Sequence, residues 1–192
     1  MWRTLFLLLW MFNSFGQTKL DVSCNQVNNL KNGSILVQLF TEDQNIKLLN
    51  ELGKKSEAER LEREVYQKNK EIILSFTNGF SFCPVYFFYD HHLEKVRQGL
   101  FDSAVFNAKL EFINFKTKSP TFYIAEFSET SVVGIDGLVL FDENYQQLAA
   151  PFPFFERQYI FFSLVSLSKG RIIERYAKRL QQFQDYCLDF NP

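Results

Sequence analysis

The chain has 192 residues, of which 46% are hydrophobic and 17% aromatic, including 23 phenylalanines. This composition excludes a disordered protein and supplies enough apolar side chains for one buried core. The 21 basic and 22 acidic residues give a net charge of −1 without any run of lysine or arginine. The sequence therefore predicts neither a nucleic-acid-binding surface nor a polybasic membrane anchor.

The first 16 residues have the pattern of a secretory signal peptide. Arg3 supplies a positive charge, Leu5–Phe12 is continuously apolar, and Ser14–Gly16 offers small residues for a signal peptidase. The apolar segment is shorter than the roughly 20 residues that a membrane-spanning helix needs. We expect cleavage after Gly16, export to the periplasm or as a secreted protein, and no stable membrane insertion afterwards. A buried N-terminal helix is the alternative.

The region 17–192 is expected to form a single globular domain with three cysteines, Cys24, Cys83 and Cys187. An odd number leaves at least one cysteine unpaired within the chain. Because chain termini are often close in space, a disulfide between Cys24 and Cys187 is one hypothesis. The alternative is that all three are small buried apolar residues.

The first part of the chain predicts an irregular segment, a strand and two helices. Gln17–Asn32 is polar and rich in turn-forming residues, whereas Ser34–Phe40 is apolar enough for an interior strand. A capping-box pattern at Thr41 predicts the start of one helix, and a second at Ser56 begins a longer helix that ends at Asn78-Gly79.

The run Val85–Tyr89 is the segment around which we expect the rest to fold. It has no polar member, which is typical of a strand covered on both faces. Since helices separate it from Ser34–Phe40, the two strands are predicted to be parallel neighbours joined by a right-handed crossover.

The remaining elements complete the fold class. A short helix is predicted at Leu93–Leu100, followed by strands at Val105–Phe115 and Thr121–Phe127 and a hairpin at Gly137–Ala149. Tyr159–Val165 is predicted as a strand or the buried start of a helix, and a terminal helix begins at Ser168. We therefore predict an α/β protein with a mixed β-sheet and helices on both faces. An α+β arrangement is the alternative.

Asp90, His91 and His92 follow directly after the central strand and form one candidate site. Ligands of open α/β sheets bind at the carboxyl ends of strands, and carboxylate and imidazole groups bind metals. This pattern indicates a hydrolase or metal site. However, adjacent histidines on an extended chain point in opposite directions, so an exposed turn is the alternative.

The loop Pro151–Phe155 is the second candidate site. Its two prolines stiffen a segment that carries Phe152, Phe154 and Phe155. Exposed, these rings would form a preorganised apolar contact patch for a partner. The alternative is that they cover the sheet edge as part of the core.

Cys83 is the third candidate, because the order of strands, helices, hairpin and terminal helix resembles a thioredoxin-like layout. The Cys-x-x-Cys pair that usually activates such a thiol is missing, however. Gly-x-Ser-x-Gly and phosphate-loop motifs are also missing.

We therefore predict a non-catalytic, exported binding or interaction domain for a protein or small ligand, without cofactor or bound metal. The alternatives are an extracytoplasmic thiol protein that uses Cys83, and a hydrolase or metal site at Asp90–His92.

Overall fold

The computed structural model describes residues 18–113, 121–131, 134–158, 160–161, 165–166 and 168–190. The predicted signal peptide lies outside the described residues. So do the end of the predicted strand Val105–Phe115 and part of the predicted element Tyr159–Val165.

Five α-helices and eight short strands make up the described structure. The helices are α1 (Lys19–Asn32), α2 (Asp43–Glu51), α3 (Lys55–Gly79), α4 (Leu93–Arg97) and α5 (Lys169–Phe190). The strands are β1 (Ser34–Leu39), β2 (Val85–Tyr89), β3 (Val105–Phe106), β4 (Phe122–Glu129), β5 (Asp136–Phe141), β6 (Phe155–Arg157), β7 (Ile160–Phe161) and β8 (Val165–Ser166). Asp90–His92 forms a 3-10 turn between β2 and α4.

Six strands form one mixed sheet in the order β3-β2-β1-β4-β5-β6, and β7 pairs with β8 separately. β1 is parallel to both β2 and β4, whereas β3, β5 and β6 are antiparallel to their neighbours. The carboxyl ends of β1, β2 and β4 therefore lie at the same edge of the sheet. The predicted parallel pairing of β1 and β2 is confirmed.

Three long helices cover one face of this sheet. Ile72 and Phe76 of α3 share a buried cluster with Val37 of β1 and Phe87 of β2. The same cluster contains apolar side chains from α1 and α5, among them Cys24, Val27, Leu30, Ile172, Ile173, Tyr176 and Leu180.

The opposite face is covered by a shorter layer. Val96 of α4 and Phe101 pack with Leu36, Phe88 and Ile124 of the sheet. Because helices lie on both faces of a mixed sheet, the predicted α/β class is confirmed. The connection that follows β1 packs on the first face, and α4, which follows β2, packs on the second.

The run Val85–Tyr89 occupies an interior position of the sheet, as predicted. β2 lies between β1 and β3, and its residues Phe87 and Phe88 are buried on opposite faces. Tyr89 is only half-buried, because the strand ends there at the edge of the sheet.

The segment Gln17–Asn32 was expected to be irregular, and this prediction is wrong. Thr18 and Asp21 form a reciprocal capping box at the start of α1. The buried residues Cys24, Val27 and Leu30 recur at helical spacing, so packing against the sheet outweighs the polar composition.

Neither of the two capping boxes predicted for the next helices forms. α2 begins at Asp43 after Glu42, whose backbone is left-handed with φ of 55°, and α3 begins at Lys55. In both helices the N-cap side chain makes no capping hydrogen bond. Thr41 instead uses its hydroxyl in a tertiary contact described below.

Two predicted strand regions are shorter than expected. Among the described residues 105–113 of the first, Val105–Phe106 alone forms a strand, after which the chain turns and places Phe112 opposite Phe106. In the predicted hairpin Gly137–Ala149, the returning half pairs with β5 only where Gln147 lies opposite Phe141. β5 instead pairs with β4 and β6 along its length.

A disulfide joins Cys24 of α1 to Cys187 of α5 across 163 residues of sequence. Both residues are buried on the face of the sheet that the long helices cover. The bond therefore connects the first and last helices of the described structure, which lie on the same face of the sheet.

Candidate functional site

An open cleft of about 770 Å³ lies at the carboxyl ends of β1 and β2, between α2 and α3. We call it the carboxyl-end cleft. Its lining consists of Phe40, Thr41, Asp43, Ile46, Lys47, Asn50, Glu51, Glu62, Val65, Tyr66, Asn69 and Tyr89. In open α/β sheets, this edge is where ligands bind.

Asn69 of α3 holds the residue that follows β1. Its side-chain amide donates to the carbonyl oxygen of Phe40 at 2.7 Å and accepts from the Phe40 N–H at 3.1 Å. Asn69 is buried, so both hydrogen bonds are shielded from water. They replace the ladder hydrogen bonds that the end of a strand lacks, and they fix the floor of the cleft.

Asp90 joins the ends of β1 and β2. Its carboxylate accepts from the Thr41 hydroxyl at 2.7 Å, from the Thr41 N–H at 3.1 Å and from the His91 N–H at 2.7 Å. Hydrogen bonds to an ionised carboxylate are stronger than those between neutral groups. Asp90 therefore connects the wall of the cleft to the strand beside it.

His91 lies between two carboxylates. Its Nδ1 is 3.6 Å from Asp43 Oδ2 and 3.8 Å from Asp90 Oδ1, and its ring stacks on Tyr89. Burial and the neighbouring His91 lower the pKa of His92. Within the described residues, no group of three metal-ligating side chains comes together. The hydrogen bonds from Thr41 and His91 engage both oxygens of the Asp90 carboxylate.

Aromatic rings and carboxylates dominate the cleft. Tyr66 is 62% exposed, although large aromatic side chains are usually more buried. The Lys68 ammonium lies 3.6 Å from the centre of the Phe40 ring. Burial and Lys169 lower the pKa of Lys68, while Glu42 and Glu126 oppose that shift.

A second polar cluster lies at the carboxyl halves of β1 and β4. The Tyr145 hydroxyl donates to the Glu126 carboxylate, and burial together with Glu126 raises the pKa of Tyr145. Gln38 of β1 also contacts Tyr145. Tyr145 has a positive φ of 62°, an unusual conformation for a bulky residue.

The Pro151–Phe155 loop contributes to the core, which is the alternative to an exposed patch. Phe152 is 1% exposed, and its ring stacks on Tyr123, so an exposed patch that contains Phe152 is excluded. Phe154 and Phe155 are half-buried. Next to this loop, the buried carboxylate of Glu156 forms ion pairs with Arg175 and Arg179 of α5, at 3.0 and 2.7 Å.

The two predicted sites do not meet. Asp90–His92 follows β2, whereas Pro151–Phe155 precedes and enters β6, four strand positions away. At about 4.8 Å per strand, that separation is roughly 19 Å. The loop has its own hollow of about 380 Å³, which shares no residue with the carboxyl-end cleft. No common pocket therefore joins the sites.

Cys83 lies at the opposite end of β2 from the cleft. Burial raises the pKa of its thiol to about 12, and Lys31 only partly opposes this shift. A reactive cysteine needs the contrary, a lowered pKa. The loop and helix after β1, from Phe40 to Glu51, contain no cysteine. The geometry favours the interpretation of Cys83 as inert.

The sequence predicted Asp90 but not the residues with which it forms the site. Thr41 is predicted to cap a helix and Phe40 to end a strand, whereas no sequence pattern distinguishes Asn69 or Tyr66 within the helix that contains them. One signal was present: buried strands change to polar residues at Thr41 and at Asp90, where two parallel strands end. The contact between Asn69 and Phe40 joins residues 29 positions apart, so no local sequence pattern indicates it.

The fold and the cleft define an α/β domain with a mixed sheet and an open pocket at the carboxyl ends of β1 and β2. Comparisons with protein-family models, curated proteins and solved structures found no significant match to the chain. Among the described helices, none combines the length and apolar character required to cross a membrane.

Replacing Asp90 with alanine is expected to lower the free energy of unfolding by about 1–3 kcal/mol, because Thr41 and His91 lose a shared charged acceptor. Asp43→Ala is the control: its more exposed carboxylate should contribute less than about 0.5 kcal/mol. Chemical denaturation measures both. Equal stabilities of the two variants would show that the Asp90 contacts do not hold the strand ends together.

Cys83 is expected to react slowly with a thiol reagent in the native protein. With a pKa near 12, its thiolate fraction at pH 8 is roughly a thousandfold below that of an unperturbed cysteine. Absorbance with a chromogenic disulfide reagent measures the rate, and denatured protein provides the reference. Native labelling at the denatured rate would revive the thiol-protein alternative.

Proposed function

We propose that this protein is a non-catalytic binding domain whose ligand occupies the carboxyl-end cleft. The observation that carries the proposal is the position of the cleft, at the carboxyl ends of the parallel strands β1 and β2 of the mixed sheet. Its floor and wall are held by Asn69 and Asp90, so the pocket is formed before any ligand arrives.

Binding without catalysis agrees with the chemistry of the cleft lining. Thr41 and Asn69 are engaged in structural hydrogen bonds, and Asp90 accepts three of them. The lining contains neither cysteine nor serine as a nucleophile. The remaining groups can recognise a ligand by charge, hydrogen bonding and aromatic contact.

Burial of Phe152 reduces the number of Pro151–Phe155 side chains that a protein partner could contact. Phe152 supports the core, so only Phe154 and Phe155 remain for such a contact. The cleft therefore takes precedence over the loop as the proposed binding site.

Asn50→Trp tests the cleft, because an indole at its rim should block it, whereas Gln44→Trp on the same helix lies outside the lining. A library of small aromatic and polar compounds is screened by amide NMR. We expect shifts centred on Ile46, Asn50 and Tyr66, with affinity at least about tenfold weaker for Asn50→Trp and unchanged for Gln44→Trp. Shifts confined to Phe154 and Phe155 would favour the loop instead, and no shifts at the cleft would contradict the proposal.

We further propose that the domain acts outside the cytoplasm, as a periplasmic or secreted protein. The support is the pattern of residues 1–16, with Arg3 followed by the apolar segment Leu5–Phe12. The single-domain limits 17–192 remain a prediction on the same grounds.

Export is expected to yield a protein that begins at Gln17 when the full chain is produced in a bacterial host. Leu8→Arg interrupts the apolar segment and should leave the uncleaved chain in the cytoplasm. Fractionation and intact-mass measurement check both proteins. Recovery of the unchanged, full-length chain from the cytoplasm would refute cleavage and export.

A further inference from the structure

We infer that the carboxyl-end cleft recognises an organic cation, an ammonium group carried by a small molecule or by a lysine side chain. This inference rests on the proposed function and adds the chemical class of the ligand. Three features carry it: the aromatic lining, the excess of carboxylates, and a cation that the protein itself places on one of the rings.

Three aromatic residues line the cleft. Phe40 and Tyr89 stand at the ends of β1 and β2, and Tyr66 projects from α3 with 62% of its surface exposed. The face of an aromatic ring carries negative potential and attracts a cation that lies within about 6 Å of the ring centre. Lys68 lies over the Phe40 ring and His91 stacks on the Tyr89 ring, so Tyr66 is the lining ring that a further cation can approach.

Carboxylates outnumber cationic groups in the same lining. Asp43, Glu51 and Glu62 line the cleft together with one ammonium, that of Lys47. Lys47 lies 3.9 Å from Glu51, and both side chains are well exposed. The Lys68 ammonium beside Phe40 offsets a second of the three carboxylates, so the cleft keeps a negative balance of one charge, which favours a cationic ligand over an anionic one.

Phe40 shows that this lining accepts a cation. The Lys68 ammonium lies 3.6 Å from the centre of the Phe40 ring, well inside the range of a cation–π contact. Tyr66 is the most exposed of the lining rings and has no such partner among the described cation–π contacts. We therefore assign Tyr66 as the main contact of the ligand and Glu62, one turn before it on α3, as its counter-ion.

Choline and its neutral isostere 3,3-dimethyl-1-butanol provide matched probes, because they share a shape and differ in charge. In an amide NMR titration of the exported, disulfide-bonded protein, choline should shift the resonances of cleft residues. The affinity for 3,3-dimethyl-1-butanol should be at least about tenfold weaker. N-acetyl-lysine amide tests the second source of the cation. Binding of either cation supports the inference, and the tighter one identifies the source.

Variants locate the interaction. Tyr66→Ala should weaken choline binding about three- to tenfold, whereas Tyr66→Phe retains the ring and should bind like the unchanged protein. Glu62→Gln should weaken binding about two- to fivefold. Glu59→Gln is the control, since it removes an exposed carboxylate of the same helix that does not line the cleft.

Two results would overturn the inference. Equal affinity for choline and 3,3-dimethyl-1-butanol would show that the cleft does not recognise charge. Unchanged choline affinity in Tyr66→Ala and Glu62→Gln would place the bound cation elsewhere. If neutral compounds occupy the cleft while both cations fail, the proposed function stands and only the ligand class is wrong. If neither neutral compounds nor cations shift the cleft amides, both proposals fail.

Discussion

The structure depends on the burial of β1 between two parallel neighbours. All six residues of Ser34–Leu39 are buried, so the backbone groups of this strand must find their partners in β2 and β4 rather than in water. The shared direction of the three strands comes instead from the long connections between them. It also places their carboxyl ends together, and the crossovers then cover both faces of the sheet with apolar side chains.

The same burial explains why the site lies where it does. At Phe40 and Tyr89 the two strands leave the core, and their backbone groups lose ladder partners. Side chains supply the replacements: the Asn69 amide bonds both backbone groups of Phe40, and the Asp90 carboxylate bonds Thr41. Polar residues that complete the ends of buried strands thereby also shape a cleft.

The far edge of the sheet shows a different solution to unpaired backbone. The outward-facing carbonyl oxygens of Phe155 and Arg157 accept hydrogen bonds from Arg179 and Arg175, respectively. Both arginines also pair with the buried Glu156, which keeps their guanidinium groups beside the strand. Covering an edge in this way disfavours pairing with another chain. The sheet edge therefore explains the positions of Arg175 and Arg179 on α5.

The sequence by itself determined the α/β class, the parallel pairing of β1 with β2, and the long helices α3 and α5, because continuous apolar runs and helical periodicity are local patterns. It also marked Asp90 at a strand end. Only the tertiary structure decided that Lys19–Asn32 is helical, that Thr41 bonds Asp90 instead of capping a helix, that Phe152 belongs to the core, and that Asn69 and Tyr66 share a cleft. These outcomes depend on contacts between residues distant in sequence, where burial outweighs local propensity and leaves no spacing to detect.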